Sequence, residues 1–312
     1  MTQQKPRRIA VIGRDGQLAL ALNRRLSEAG HEVIILSRPL VDLSSPNTVR
    51  DAIIASSPEI VVNAAAYTAV DKAEDEPDLA RAVNADGAGA AAAAAAEIGA
   101  PIIHFSTDYV FDGSASRPYD ENDPTGPLGV YGQSKLDGER LVSAANSRHV
   151  ILRTAWVCSP DGNNFVKTML RLAAERPRLR VVDDQRGSPT FADDLAAVVL
   201  QLIPRIGAQS ATEHAFGIFH VASSGETNWC QFARAIMVGA QQRGALHVPI
   251  DGITTADYPT KARRPAYSVL STEKLRRVHG VRLPHWEAAL SGCLDQLIGP
   301  IPLKPPTSLN DI

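Results

Sequence analysis

The chain has 312 residues, 44% of them hydrophobic, which is enough to bury a sizeable core without disulfide or metal staples. Its 32 basic and 34 acidic side chains give a net charge of −2, which argues against a nucleic-acid partner, since such binders usually carry a basic excess. Cys158, Cys230 and Cys293 are too scattered for a disulfide framework or a zinc pattern, and no signal peptide or membrane-length apolar run is evident, so reduced thiols and the cytoplasm are expected.

In chain order, residues 8–13 read as a short buried strand. Residues 18–29 have helical periodicity, and Gly30 ends it. Strands are expected at 31–36, 60–63, 101–106 and 149–153, with helices at 49–56, 76–98 and 132–145 between and after them. The alanine run at 88–96 suits a helix lying close on a sheet. Further on, helices are expected at 164–175, 193–203 and 229–240, and strands at 179–182 and 217–221. A loop-rich tail with Pro249, Pro259, Pro265 and Pro284 follows, and a Pro-rich end from Pro300 onward is expected to fray.

This alternation predicts an α/β fold, a doubly wound parallel sheet of Rossmann type, with a smaller mixed α/β substrate domain. The expected dinucleotide-binding domain is residues 1–157 plus about 187–222, because 191–221 looks like sheet material returning late. The substrate domain is then about 158–186 plus 223–312, and discontinuous. Ligands in such sheets bind beyond the carboxyl ends of the strands, where Gly13, Asn63, Ser106 and Arg153 fall.

Gly13-Arg14-Asp15-Gly16-Gln17-Leu18-Ala19 stands between the first strand and the first helix. Gly13 permits a tight turn, Gly16 lets the backbone approach a pyrophosphate, and the helix start offers free N–H groups. Asp15, Gln17 and Leu18 join the expected cofactor site. The second strand ends in Ser37-Arg38 where an NAD site would usually carry an acid, so a hydroxyl and a cation favour a 2′-phosphate, hence NADPH over NADH. Asp42 and the adjoining Leu43 are placed at the adenine, and Ala65, Ala66, Tyr67 and Thr68 leave room where the cofactor crosses the sheet edge.

Tyr131 and Lys135 form a Tyr-x-x-x-Lys downstream of Ser106-Thr107-Asp108-Tyr109. On a helix the two lie on one face, where the ammonium is expected to lower the phenol's pKa and make it a proton donor. A hydroxyl from Ser106 or Thr107 would hold the oxygen that receives the proton, a set suited to carbonyl reduction.

Several blocks coincide with those of one family. The chain resembles the dTDP-4-dehydrorhamnose reductases of the extended short-chain dehydrogenase/reductases in GRDGQL at 13–18, VNAAAYTAVDKAE at 62–74 and STDYVFDG at 106–113. The likeness continues through Tyr131, Lys135, RTAWV at 153–157, GNNFVKTML at 162–170, DQRGSPT at 184–190 and RPAYS at 264–268. It implies NAD(P)H-dependent reduction of the 4-keto group of dTDP-4-dehydro-β-L-rhamnose, with Tyr131 as proton donor, Lys135 on the nicotinamide ribose and Thr107 as the catalytic hydroxyl. Thr107, Asp108, Trp156, Asn164 and Arg264 would contact the substrate. Some relatives hold magnesium through an acid near Asp193 at a dimer contact. No convincing partner set stands near the C-terminus here, so metal and a homodimer are left open. A reductase of another nucleotide-linked 4-keto sugar and a non-catalytic regulatory subunit are the alternatives, although the latter has no need of Thr107, Tyr131 and Lys135. Neither nucleic acid nor membrane is an expected partner.

Overall fold

The computed structural model describes residues 5–207 and 211–301; the expected fraying end therefore lies mostly outside the described residues. The first half alternates β1 (Arg8–Ile12), α1 (Gln17–Glu28), β2 (Glu32–Leu36), α2 (Pro46–Ser56) and β3 (Ile60–Asn63). Then come α3 (Val70–Ala73), α4 (Pro77–Arg81), a π-helical turn (Ala82–Asp86), α5 (Gly87–Glu97), β4 (Ile102–Thr107), α6 (Val130–Ala145) and β5 (His149–Thr154). The second half holds β6 (Val157–Cys158), α7 (Phe165–Glu175), β7 (Leu179–Val182), β8 (Arg186–Gly187), β9 (Thr190–Phe191) and α8 (Ala192–Ile206). It ends with β10 (Gly217–His220), β11 (Thr227–Asn228), α9 (Trp229–Gln242), β12 (Ile250–Ile253), α10 (Glu273–His279) and α11 (Trp286–Leu297).

Six strands form one parallel sheet in the order β10-β5-β4-β3-β1-β2, the doubly wound arrangement expected. Their apolar runs are buried on both faces, as a sheet covered on both sides requires. On one face Val11, Phe105 and Leu152 pack with α1 and α8. On the other, Ile12, Ile102 and Ile151 pack with α2, α5 and Val142 of α6. α5 also comes close to the chain after β2, since a Cβ on Gly87 would stand 2.2 Å from the Leu43 carbonyl oxygen.

A separate apolar cluster joins α7, β7, α9, β12 and α11. The expectation of a loop-rich tail is corrected here, because residues 250–297 contain β12, α10 and α11. The prolines mask the pattern: Pro284 stands just before His285, which caps α11, and Trp286, Leu290 and Leu294 recur at helical spacing behind it. The two-residue strands β6, β8, β9 and β11 carry too few residues to show any period.

Candidate active site

At the end of β1 the chain turns through Gly13 at φ +118°, a conformation that L side chains rarely adopt. Gly16 then caps α1 with no side-chain acceptor on the first N–H groups, and a Cβ there would point into open space. These groups fit a pyrophosphate at a helix start. Arg14 and Asp15 pair with each other at 2.9 Å in the exposed part of the turn. Arg38, past β2, is exposed, and its guanidinium has no hydrogen-bond or ion-pair partner among the described residues. Asp42 is held as a carboxylate by the Ser44 hydroxyl and N–H, which donate to its Oδ1 at 2.7 and 2.9 Å.

The loop after β3 is tied to the helix that bears the Tyr-x-x-x-Lys. Asn84, in the π turn, accepts from Tyr67 N–H at 2.8 Å and donates to the Tyr67 carbonyl at 3.1 Å. Its amide also donates to Ser134 Oγ at 3.0 Å, and that hydroxyl donates to the Tyr131 carbonyl at 2.8 Å. The Ala65 to Thr68 stretch and Tyr131 are thus set by one polar network.

Thr107 ends β4, and Tyr131 stands in the first turn of α6. Tyr109 links the two, since its N–H donates to Thr107 Oγ1 and its ring packs edge-on against Tyr131 at 5.7 Å; burial pushes the Tyr131 phenol up to about 12, and the Thr107 hydroxyl offsets only part of this. Thr107 Oγ1 donates to Asp108 Oδ1 at 3.0 Å and accepts from Tyr109 N–H at 3.2 Å. Burial pushes the Asp108 carboxyl up to about 6. A small cleft opens here, with Glu74, Tyr109, Tyr131 and Arg263 in its wall.

Lys135 is anchored to β4: its Nζ donates to the Phe105 carbonyl at 2.7 Å and faces His104 Nε2 at 3.5 Å. Burial pushes Lys135 down to about 8, against the pull of Glu139. The imidazole of His104 stays neutral, driven well below its ordinary value by burial and by the neighbouring ammonium. Asn63 holds its other nitrogen at 3.2 Å.

Ser106, the other candidate hydroxyl, is engaged by a buried ion pair. Ser106 Oγ donates to Glu139 Oε1 at 2.5 Å, and Glu139 accepts from Arg153 at 2.9 and 2.7 Å. Ser106 is thus engaged with the buried Glu139–Arg153 pair, whereas Thr107, equally buried, bonds Asp108 and Tyr109.

The remaining candidates are spread around this centre. Trp156 adopts φ +47°, which costs a β-carbon residue about 1–3 kcal/mol. Its ring stacks on Trp229 at 3.6 Å, and Gly187 makes room, since a Cβ there would lie 2.5 Å from the indole. Asn164 caps α7 and donates to the Gln17 side chain at 2.9 Å, which ties it to the glycine turn, with no hydrogen bond to Thr107 or Tyr131 among the described residues. Arg264 is gripped by Asp71 at 2.7 and 3.2 Å, whereas Arg263 lines the pocket. The Asp193 carboxylate is occupied by Arg24 and Arg25. No three His, Cys, Asp or Glu side chains gather to hold a metal ion among the described residues.

Four further residues hold these side chains in place. Glu74 Oε1 accepts from Val130 N–H at 2.8 Å and so caps the start of α6 from a distance, a contact with no local signal. Asn84 and His104 likewise act through partners far along the chain. Glu139 alone carried a signal, standing four residues past Lys135 on the same helix face.

The model of the RmlD substrate binding domain family matches residues 7–298. A dTDP-4-dehydrorhamnose reductase of Sinorhizobium fredii is 49% identical over 90% of this chain and 94% of its own. A crystal structure of such a reductase from Clostridium acetobutylicum superposes with a TM-score of 0.86 at 39% identity, covering 93% of this chain and 99% of the other. The Bacillus anthracis reductase in complex with NADP does so with the same TM-score at 34% identity and the same coverage.

Proposed function

The chain belongs to the RmlD substrate binding domain family, that of the dTDP-4-dehydrorhamnose reductases, and from this premise we propose how its residues reduce the 4-keto group of dTDP-4-dehydro-β-L-rhamnose to give dTDP-L-rhamnose. The observation that carries the reading is the placement of Tyr131, its ring edge-on to Tyr109 at 5.7 Å, against the turn that Thr107 caps at the carboxyl end of β4, beside the pocket. No helix among the described residues is long and apolar enough to cross a membrane, and the three cysteines are buried free thiols, which supports the cytoplasm as its compartment.

NADPH, when bound, supplies the hydride. The glycine turn and the uncapped start of α1 would hold its pyrophosphate, and Arg38 its 2′-phosphate. Hydride addition at the carbonyl carbon puts negative charge on its oxygen. Tyr131, neutral because burial keeps its proton on, donates that proton, while the Thr107 hydroxyl bonds the same oxygen. Lys135 contributes a fixed ammonium held by the Phe105 carbonyl. Asp108 and Trp156 would face the sugar; of the arginines, Arg263 is the one left unengaged for the diphosphate, since Asp71 already engages Arg264. The sheet with its helices and β10 forms the dinucleotide half in this reading, and the cluster around α7, α9 and α11 supports the sugar half.

The test is the loss of reduced-nicotinamide absorbance when purified protein meets dTDP-4-dehydrorhamnose, with NADPH and NADH in parallel. Rapid oxidation supports the reading; none with either cofactor, while NADPH still binds, sinks it. In the same assay Arg38→Ala is expected to raise the KM for NADPH by roughly 10- to 100-fold and leave that for NADH unchanged, since one charge-assisted contact is worth roughly 1.5–3 kcal/mol. Equal effects on both cofactors would remove Arg38 from the 2′-phosphate.

The Lys135 ammonium, pushed down to about 8, loses its charge as pH rises through that value. Turnover is therefore expected to decline above about pH 8 in the wild type. A pH profile that stays flat well past that point would show that the charge on Lys135 is not needed.

A further inference from the structure

Six buried side-chain polar atoms lack a hydrogen-bond partner among the described residues, and three of them share one place in the fold. They are Asp108 Oδ2, Thr154 Oγ1 and Ser223 Oγ, on residues 2%, 7% and 4% exposed; the Ser268 hydroxyl stands near enough to the Asp108 carboxyl to favour its charged form, which leaves Thr154 and Ser223 as the two hydroxyls without a partner among the described residues. Each of the three residues lies at or just past the carboxyl end of one of three adjacent strands, β4, β5 and β10. Thr154 is the register partner of Thr107, and partners in a parallel pair project to the same face. Val221 N–H donates to the Arg153 carbonyl at 2.8 Å, which carries the chain past β10 alongside Thr154 toward Ser223. A buried hydroxyl without a partner destabilises the free protein, so such atoms are retained where something else completes them.

We propose that Thr154 and Ser223, with Asp108, form a hydrogen-bonding row for the ring hydroxyls of the bound sugar. The row decides which keto hexose places its carbonyl at Thr107 and Tyr131, and the inference rests on the sugar-nucleotide reading above. A 4-keto hexose carries a hydroxyl on the carbon next to its carbonyl. Neighbouring strands stand about 4.8 Å apart, so Thr107 and Thr154 can meet the carbonyl oxygen and that hydroxyl together. Thr154 is thereby a specificity-determining residue, acting on a hydroxyl rather than on the reacting atoms.

The experiment compares wild type, Thr154→Val, Thr154→Ser and Ser223→Ala in three measurements: kcat/KM for dTDP-4-dehydrorhamnose, the Kd for NADPH, and the melting temperature of the ligand-free protein. Thr154→Val, which keeps the shape and loses the hydroxyl, is expected to lower kcat/KM about tenfold, with NADPH binding unchanged. The melting temperature should hold or rise, because an unsatisfied group has been removed. Thr154→Ser should restore kcat/KM, and Ser223→Ala should lower it in the same direction. An unchanged kcat/KM in Thr154→Val would overturn the proposal, as would a parallel rise in the NADPH Kd, which would assign the hydroxyl to the nicotinamide. A lowered melting temperature with proportionate loss of activity would also overturn it, by making Thr154 structural. An unaffected Ser223→Ala would strike Ser223 from the row. A wild type without turnover would instead defeat the sugar-nucleotide reading itself.

Discussion

Tyr131→Phe is expected to lower turnover by roughly 10²–10⁴-fold, the usual worth of a general acid, while the Kd for NADPH stays within about twofold. The substitution removes one hydroxyl from a ring that packs edge-on against Tyr109 at 5.7 Å, so the fold has no reason to change. Without the phenol, charge developing on the carbonyl oxygen meets only the Thr107 hydroxyl. Stopped-flow turnover and a fluorescence titration of NADPH together decide it. Retained turnover would remove Tyr131 from the chemistry, and lost NADPH binding would make it a cofactor ligand first. Because the phenol stands at about 12 in the ligand-free protein, it is a well-kept proton rather than a ready acid. What draws that proton is the charge growing on the substrate oxygen.

Glu139→Ala is expected to cost about 3–5 kcal/mol of unfolding free energy, because removing one partner leaves the other charge buried and uncompensated. Both residues of the Glu139–Arg153 pair are 3% exposed or less. Arg153 has other neighbours, the face of Phe111 at 5.2 Å and His220 Nε2 at 3.5 Å, but none is an anion. His220 is itself pushed down to about 3 by burial and by that guanidinium, so it offers a neutral ring. Urea unfolding of Glu139→Ala, and of Glu139→Ala combined with Arg153→Met, measures the effect. The double variant should recover much of the loss, since a buried pair replaced by apolar groups is often neutral. A loss below about 1 kcal/mol in the single variant would mean that Arg153 finds solvent or another acceptor when Glu139 is gone.

The two expectations bear on one piece of the molecule. The face of α6 that presents Tyr131 also presents Lys135 and Glu139, four residues apart each time. Tyr131 looks onto the pocket, Lys135 onto the β4 backbone, and Glu139 onto Ser106 and Arg153 beneath the edge. The helix is fixed at its start by Glu74 and along its side by Asn84. Tyr131 therefore keeps its place through contacts that reach back to residues 74 and 84, in the segment after β3.

What the sequence determined by itself is the part that obeys short-range rules. Apolar strand runs, helical periodicity and the Gly13–Gly16 spacing stood in the order of residues, and so did the Tyr131–Lys135 spacing, because each is dictated within a few residues of backbone. The family likeness rested on such local blocks as STDYVFDG, and it named Thr107 before any contact was known. Tertiary structure decided what those side chains meet. It gave Ser106 to Glu139, turned Lys135 toward β4, paired Arg264 with Asp71 and Asp193 with two arginines, and set Thr154 beside Thr107. Spacing along a helix or strand states which residues share a face, but hydrogen bonds and burial depend on groups brought in from 14 to 193 positions away. Desolvation, the largest influence on Tyr131 and Lys135, exists only once the chain has closed around them.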